Sequence, residues 1–417
     1  MKYSFKFWTI VIVEGLMVGK YAISFPFLAL YMTQKKGFDM SVMGGYFSIV
    51  MLISSLSSTF GGSLSDYIGR RNVMFFSLLT RAVFIFLISF SIYLNLNPLW
   101  ILIFNFLASV GGLGFHSVAL AYISDVVSES ERVKSYSILR VSTNAGWAIG
   151  PAVGGFIANT SYPLAFLVSA IVFFVAAFFV FFFAKDVALK RSDSALTLIK
   201  DGFGFKPIFG KRISREFKII LFYSFLMTGV MSQLVVPLSL YSKKYLGFSE
   251  KDIGFLFTLN GSIVILIQYF IGKMIKEEKI IKALSLSCLF YAAGYLLFGY
   301  SRLYIMAMFS IFIMTIGEVI FSPSLSTLVS RVSPENKRGN YIGIHSMISD
   351  FGRAFGVFAG TFLIDNFSYY IREISWWFVA VVSIISSYGF STLKKYGKKS
   401  NESLDKSIKL SYPSSPV

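Results

Sequence analysis

Residues 62–71 read Gly62-Ser63-Leu64-Ser65-Asp66-Tyr67-Ile68-Gly69-Arg70-Arg71, a short polar string set between two apolar runs at 42–63 and 73–94. Gly62 lets helix ends approach one another, and Gly69 permits a tight turn. Asp66 and Arg70 stand four residues apart and pair if the segment is helical. Two arginines close the string, so positive charge is concentrated at one end of two apolar segments, the pattern of a turn on the basic side of a membrane.

Working outward, the same alternation fills the chain. A membrane-spanning helix needs about 20 mostly apolar residues. That criterion gives segments near 7–32, 42–63, 73–94, 98–124, 137–158, 162–184, 217–242, 251–272, 280–300, 303–329, 341–364 and 374–393. Lipid cannot satisfy free backbone groups, so these segments are expected to be helical. The alternating stretches of about ten residues that mark a membrane β-barrel are absent from the sequence. Composition agrees: 55% of the 417 residues are hydrophobic and only 14% are charged, against about 25% charged in a soluble domain. The fold class read from this is an all-α polytopic membrane protein of twelve transmembrane helices.

The formal net charge of +18 would suggest nucleic acid in a soluble protein. Here the basic residues lie in short loops and tails, and no nucleic-acid partner is expected. With an internal N-terminus, 28 Lys and Arg fall on the inner side and 7 on the outer, while Lys20, Arg81, Arg140 and Arg353 lie within spans. This bias places both termini in the cytoplasm and the chain in the cell membrane as a multi-pass protein. Arg81 and Arg140 are expected to snorkel. The first apolar segment follows Lys2 and Lys6 but carries Glu14 and Lys20 and has no evident cleavage site, so it reads as a retained helix. Cys288, the single cysteine, excludes an intrachain disulfide and reads as a small buried hydrophobe.

Two halves repeat. At an offset of 210, Gly37-Phe38, Gly44, Phe47 and Gly62 match Gly247-Phe248, Gly254, Phe257 and Gly272. At an offset of 206, Glu129, Arg132, Gly146, Gly150 and Gly154 match Glu335, Arg338, Gly352, Gly356 and Gly360. Glycines and loop charges kept in register point to pseudo-symmetric six-helix bundles, 1–184 and 217–394. A basic connection, 185–216, joins them, and a polar cytoplasmic tail, 395–417, has the composition of a disordered segment. Repeats of this kind place a substrate site between them, near midplane.

The string at 62–71 resembles the loop signature of the major facilitator superfamily, G-x-L-x-D-x-x-G-R-R after span 2, and the resemblance covers nearly the whole chain. It implies a conformational latch built from Gly62, Asp66, Gly69, Arg70, Arg71 and Asp125: Asp66 docks against the start of span 11 around Asn340 to Gly343, and Arg70 meets Asp125. Span 5 carries Gly146, Gly150, Pro151, Gly154 and Gly155. Small residues four apart form a flat packing face, and Pro151 bends the helix. This string resembles the antiporter motif of the drug:proton exporter branch. Ser137 stands where that motif has a further glycine, and in span 11 Val357 replaces the proline. Members of that branch usually carry an arginine within span 4, and 98–124 has none.

Ionisable residues inside a membrane are costly and usually functional. The resemblance implies that spans 1, 4, 7 and 10 line the cavity. Glu14 on span 1 and Glu318 on span 10 are the proton-coupling candidates, because a buried carboxylate can load and release a proton. Glu318 lies in Gly317-Glu318 before Pro323, similar to a stretch of some proton-coupled exporters. Asn105, His116, Met227, Met231 and Gln233 are the substrate-cavity candidates, although a lone His also bonds backbone carbonyls. Lys20 is six residues from Glu14, which turns it about 240° away, so the two are not expected to pair. Asp350 and Arg353 share a face and are expected to neutralise each other. No phosphate loop, metal-spaced His or Cys cluster or nucleophile elbow points to an enzyme, a metal or a cofactor. The expectation is a monomeric transporter of small molecules, an exporter of amphipathic or lipophilic compounds driven by the proton gradient. The alternatives are an uptake symporter or facilitator for sugar, peptide or organic acid, and a receptor or scaffold that keeps the fold without transport.

Overall fold

The computed structural model describes residues 3–112, 114–128, 131–184, 214–334 and 338–393; nearly all of the expected connection 185–216 and the whole tail 395–417 lie outside the described residues. Twelve helical segments follow in order: α1 Phe5–Lys36, α2 Met40–Ile68, α3 Arg70–Tyr93, α4 Pro98–Val126, α5 Arg132–Thr160, α6 Tyr162–Phe183, α7 Arg215–Leu246, α8 Glu250–Met274, α9 Ile280–Gly299, α10 Tyr304–Val332, α11 Arg338–Asn366 and α12 Ile374–Thr392. Among the described residues there is no strand. Eleven of these segments are long and apolar enough to cross a membrane. The twelfth, α5, is 29 residues long, but its serines, Arg140, Asn144 and glycines dilute its apolar character. Large apolar side chains point outward all around, among them Phe178, Leu266, Phe270, Ile305 and Phe309, which is the surface that hydrocarbon rather than water satisfies.

Two helices are less regular than the sequence suggested. α4, read as one span, breaks between Gly111 and Phe115, and its second piece starts from Gly114 at φ 59°, a conformation that costs glycine little. At the break the Gly112 carbonyl accepts a hydrogen bond from Ser77 of α3. α7 passes through a tight turn at Ser232–Leu234 and resumes with Pro237 in its next turn; proline has no N–H to continue the preceding ladder.

The repeat is visible in the backbone. α1 ends on Gly37 at φ 72° and α7 on Gly247 at φ 70°. In both cases the following phenylalanine N–H reaches back, Phe38 to Met32 O at 3.1 Å and Phe248 to Ser242 O at 3.1 Å. Helix pairing repeats as well: α1 on α5 matches α7 on α11, and α3 on α6 matches α9 on α12. Between the halves, α2 packs along α11 and α8 along α5. Gly44 of α2 faces Thr361 of α11, while its counterpart Gly254 of α8 faces Pro151 and Gly155 of α5. Gly155 and Thr361 are themselves equivalent at the offset of 206, so the two interfaces are related by the pseudo-twofold.

Candidate functional site

A cavity of about 940 Å³ opens beside the break in α4, walled by α1 to α6 of the first half, Trp147 of α5 included, and closed on one side by α11 of the second; α7 and α10, which the resemblance implied as lining helices, do not border it. The small residues of α5 let α1 approach it closely. A Cβ on Gly146 would strike Gly15 and Gly19 of α1, and one on Gly154 would strike the Ile23 backbone. α1 therefore lies directly on α5, which aims Glu14 and Lys20 at the interior.

Glu14 and His116 meet in the wall, His116 Nδ1 lying 3.0 Å from Glu14 Oε1. Glu14 is sealed behind the contact at 3% side-chain exposure, whereas His116 is 63% exposed to the cavity. His116 thus bonds a carboxylate rather than a backbone carbonyl. Asn105 also lines the cavity, its Oδ1 accepting from Tyr46 OH at 2.8 Å. Asp350 enters from α11, accepts from Ser55 of α2 at 2.8 Å, and pairs with Arg353.

Two basic residues, Lys20 and Arg81, also line this space. Lys20 is 4% exposed, lines the cavity and sits 3.5 Å from the centre of the Phe173 ring of α6. Arg81, read from the sequence as snorkelling, lines the cavity as well. Its guanidinium packs against Gly112 at the break in α4, a position open only because that residue has no side chain. Lys20 and Glu14 do not bond each other among the described residues.

The other candidates lie elsewhere. Glu318 does not line this cavity; Asn260 of α8 donates to its Oε2 at 2.9 Å and to Thr315 Oγ1 at 2.9 Å. Met227 is fully buried and Met231 packs against the core. Gln233 donates to Gly229 O and Gly356 O, at 2.9 and 2.7 Å, tying α7 to α11.

At the end of the molecule where α2 joins α3, Gly69 takes φ 101° as it closes one helix and opens the next. Arg70 reaches Asp66 at 2.6 Å, Asp125 of α4 at 3.0 Å and Ser65 Oγ at 2.6 Å. Arg71 bonds Phe181 O at 3.0 Å. Among the described residues Asp66 makes no bond to α11, and neither Gly62 nor Gly343 has a neighbour within 4 Å of where a Cβ would stand.

At the opposite end hydrogen bonds cross between the halves, a feature the sequence reading did not identify. Asp365 of α11 accepts from Ser41 N and Oγ of α2 at 3.1 and 2.7 Å. Glu250 of α8 accepts from Tyr162 OH of α6 at 2.6 Å and from Lys243 at 2.9 Å. The signal available in the sequence was a carboxylate opening span 8 beside Lys243 and Lys244.

Comparison with known proteins gives the same architecture. The family model described as "Major Facilitator Superfamily" matches residues 10–357 and 281–409. The chain is 23% identical to the MFS-type transporter YttB of Bacillus subtilis over 94% of its length and 97% of the relative's. It is 24% identical to "Multidrug resistance protein 2" of the same organism, over 77% and 80% of the two chains. In structure it resembles a POT family transporter crystallised with a thioalcohol conjugated peptide, with a TM-score of 0.76 at 14% identity, covering 94% of this chain and 96% of that one. With twelve helices in two pseudo-symmetric bundles, the signature turn at 62–71 and a cavity lined by α1 to α6 and α11, this integral multi-pass membrane protein is a transporter of small molecules, not an enzyme, and belongs to the major facilitator superfamily.

Proposed function

We propose that this chain exports small amphipathic or lipophilic compounds in exchange for protons. The observation that carries the reading is the Glu14–His116 contact in the wall of the cavity. His116 touches the cavity and Glu14 lies behind it, so a proton taken from cavity water by His116 has a carboxylate 3.0 Å away to receive it. Protonation of Glu14 would exchange an ion pair for a neutral hydrogen bond, and substrate in the same cavity would compete with that change. The apolar walls, Met17, Phe25, Ile85 and Phe166 among them, suit amphipathic bodies, and the multidrug-resistance relative supports export.

Transport would proceed by rocking of 1–184 against 217–394. Both termini are cytoplasmic in this proposal, so the end where α2 joins α3 is the inner one, and the bonds of Asp365 and Glu250 cross between the halves at the outer end. The proton gradient is the energy source, no resident cofactor is involved, and one chain suffices.

The test is reconstitution of the full chain in vesicles loaded with a pH-sensitive dye, screened with amphipathic compounds. Compound-triggered proton movement opposite to the compound is the expected result. Proton movement in the same direction as the compound, or none across the screen, would reject antiport.

A further inference from the structure

We infer that the transported compound is an amphipathic organic anion whose acidic group is held by Lys20, with the Arg81 guanidinium beside it. The inference rests on the cavity being the substrate site, as proposed above, and names the charge that site selects.

Four observations lead to it. Lys20 is 4% exposed and lines the cavity. Its ammonium stands on the Phe173 ring, and no described carboxylate lies within ion-pair distance of it. The two carboxylates of the cavity wall are already engaged, Glu14 by His116 and Asp350 by Arg353 and Ser55. Arg81 brings a second cation toward the same ring, its guanidinium carbon 6.0 Å from the Phe173 centre.

A buried charge is normally matched by an opposite charge, because desolvation is otherwise uncompensated. A cation–π contact offsets only part of that cost. An anion placed beside the Lys20 ammonium supplies the missing countercharge, and a second cation in the same wall adds to the positive field it meets. The ammonium acts as a compact donor and the guanidinium as a planar fork, together suited to a carboxylate or sulfonate. The apolar part of such a ligand would lie against Phe25, Phe166 and Ile85, which border the same space. Lys20 is six residues beyond Glu14, about 9 Å further along α1, so the anion site and the proton site are stacked in one cavity rather than shared by one group.

The experiment is calorimetry on the purified full chain in detergent with three probes of one apolar body: naphthaleneacetate, naphthaleneacetamide and naphthylethylamine. The acid is expected to bind about tenfold or more tightly than the amide or the amine, the difference a charge-assisted hydrogen bond makes in a dry site. Lys20→Met should bring the acid down to the affinity of the amide and leave the amide unchanged. Lys20→Arg, which keeps the charge, should retain the preference, and this separates loss of charge from loss of fold. Amine binding as tight as the acid, no detectable binding of the acid, or a preference that survives Lys20→Met overturns the inference. Proton flux triggered by compounds without regard to charge would leave export standing and remove the anion site. A Lys20-dependent preference for the acid without any proton flux would do the reverse.

Discussion

Glu14 and His116 are 102 residues apart in the chain, and each taken singly has an ordinary structural reading. A carboxylate in a membrane helix can be bonded to its neighbour, and a histidine beside a glycine can bond a carbonyl. Their contact across α1 and α4 brings them together, with His116 exposed to the cavity and Glu14 buried behind it. Glu318 has a different setting, with its oxygen taken by the Asn260 amide and outside the cavity lining. The two glutamates are therefore expected to behave differently when neutralised. Glu14→Gln keeps a hydrogen-bonding group against His116 but cannot carry a proton. Substrate binding should persist, while compound-triggered proton flux falls by roughly tenfold or more and its pH dependence flattens. Glu318→Gln should retain flux and lose only about 1 kcal/mol of stability. Flux measured in vesicles across a pH series decides this; a normal pH profile in Glu14→Gln removes Glu14 from coupling.

At the scale of helices, glycine placement determines which faces touch. The stripe in α5 serves two partners at once: Gly146 and Gly154 receive α1, while Gly155 receives Glu250 and Gly254 of α8 across the interface between halves. The stripe in α11 does the same for α7, through Gly352 and Gly356. Without side chains at these points the backbones approach closely, and van der Waals packing replaces the hydrophobic effect that lipid cannot supply. Gly154→Ala would press a methyl group into the Ile23 backbone, an overpacking cost of about 1–3 kcal/mol. Gly62, equally part of a recognisable string, has open space around it. Gly62→Ala should leave stability unchanged or raise it by up to about 1 kcal/mol, the helix preference of Ala over Gly. Thermal unfolding of the two variants in the same detergent compares them directly, and equal midpoints would contradict the α1–α5 packing.

Over the whole molecule, the two ends differ in how the halves meet. Ser41–Asp365 and Tyr162–Glu250 tie the halves together at one end. At the other, Asp66 bonds only Arg70 of its own half among the described residues, while Gly62 and Gly343 stand clear. If Asp66 docks on the N-terminus of α11 when this end closes, its charge favours closure by about 0.3–1 kcal/mol, a shift of roughly two- to fivefold between states. Asp66→Ala should therefore favour the state described here. On a Cys288→Ala background, maleimide labelling of Gly343→Cys should rise by that factor and labelling of Thr361→Cys, buried against Gly44, should fall. Labelling rates unchanged by Asp66→Ala would dissociate the residue from the conformational balance.

What the sequence determined by itself is what depends on periodicity and solvent. Twelve apolar stretches, the basic bias of the loops and glycines repeating at offsets of 210 and 206 specified the helices, their order and the two-fold plan, because lipid leaves a long apolar segment no alternative to helix. The turn at Gly69 and the Asp66–Arg70 pair were legible for the same reason: both are local, set by residues within one helical turn. Tertiary structure alone decided which ionisable groups share a space. Arg81 reads as a snorkelling residue from the sequence, and only the fold shows the break in α4 making room for its guanidinium at Gly112. Met227 and Gln233 sit on an expected cavity helix but face the α7 packing contacts instead. The break after Gly111 and the rotation of each helix about its own axis are settled by packing against partners distant in sequence. Membrane helices offer little amphipathic signal to indicate that rotation, since lipid and protein interior are both apolar.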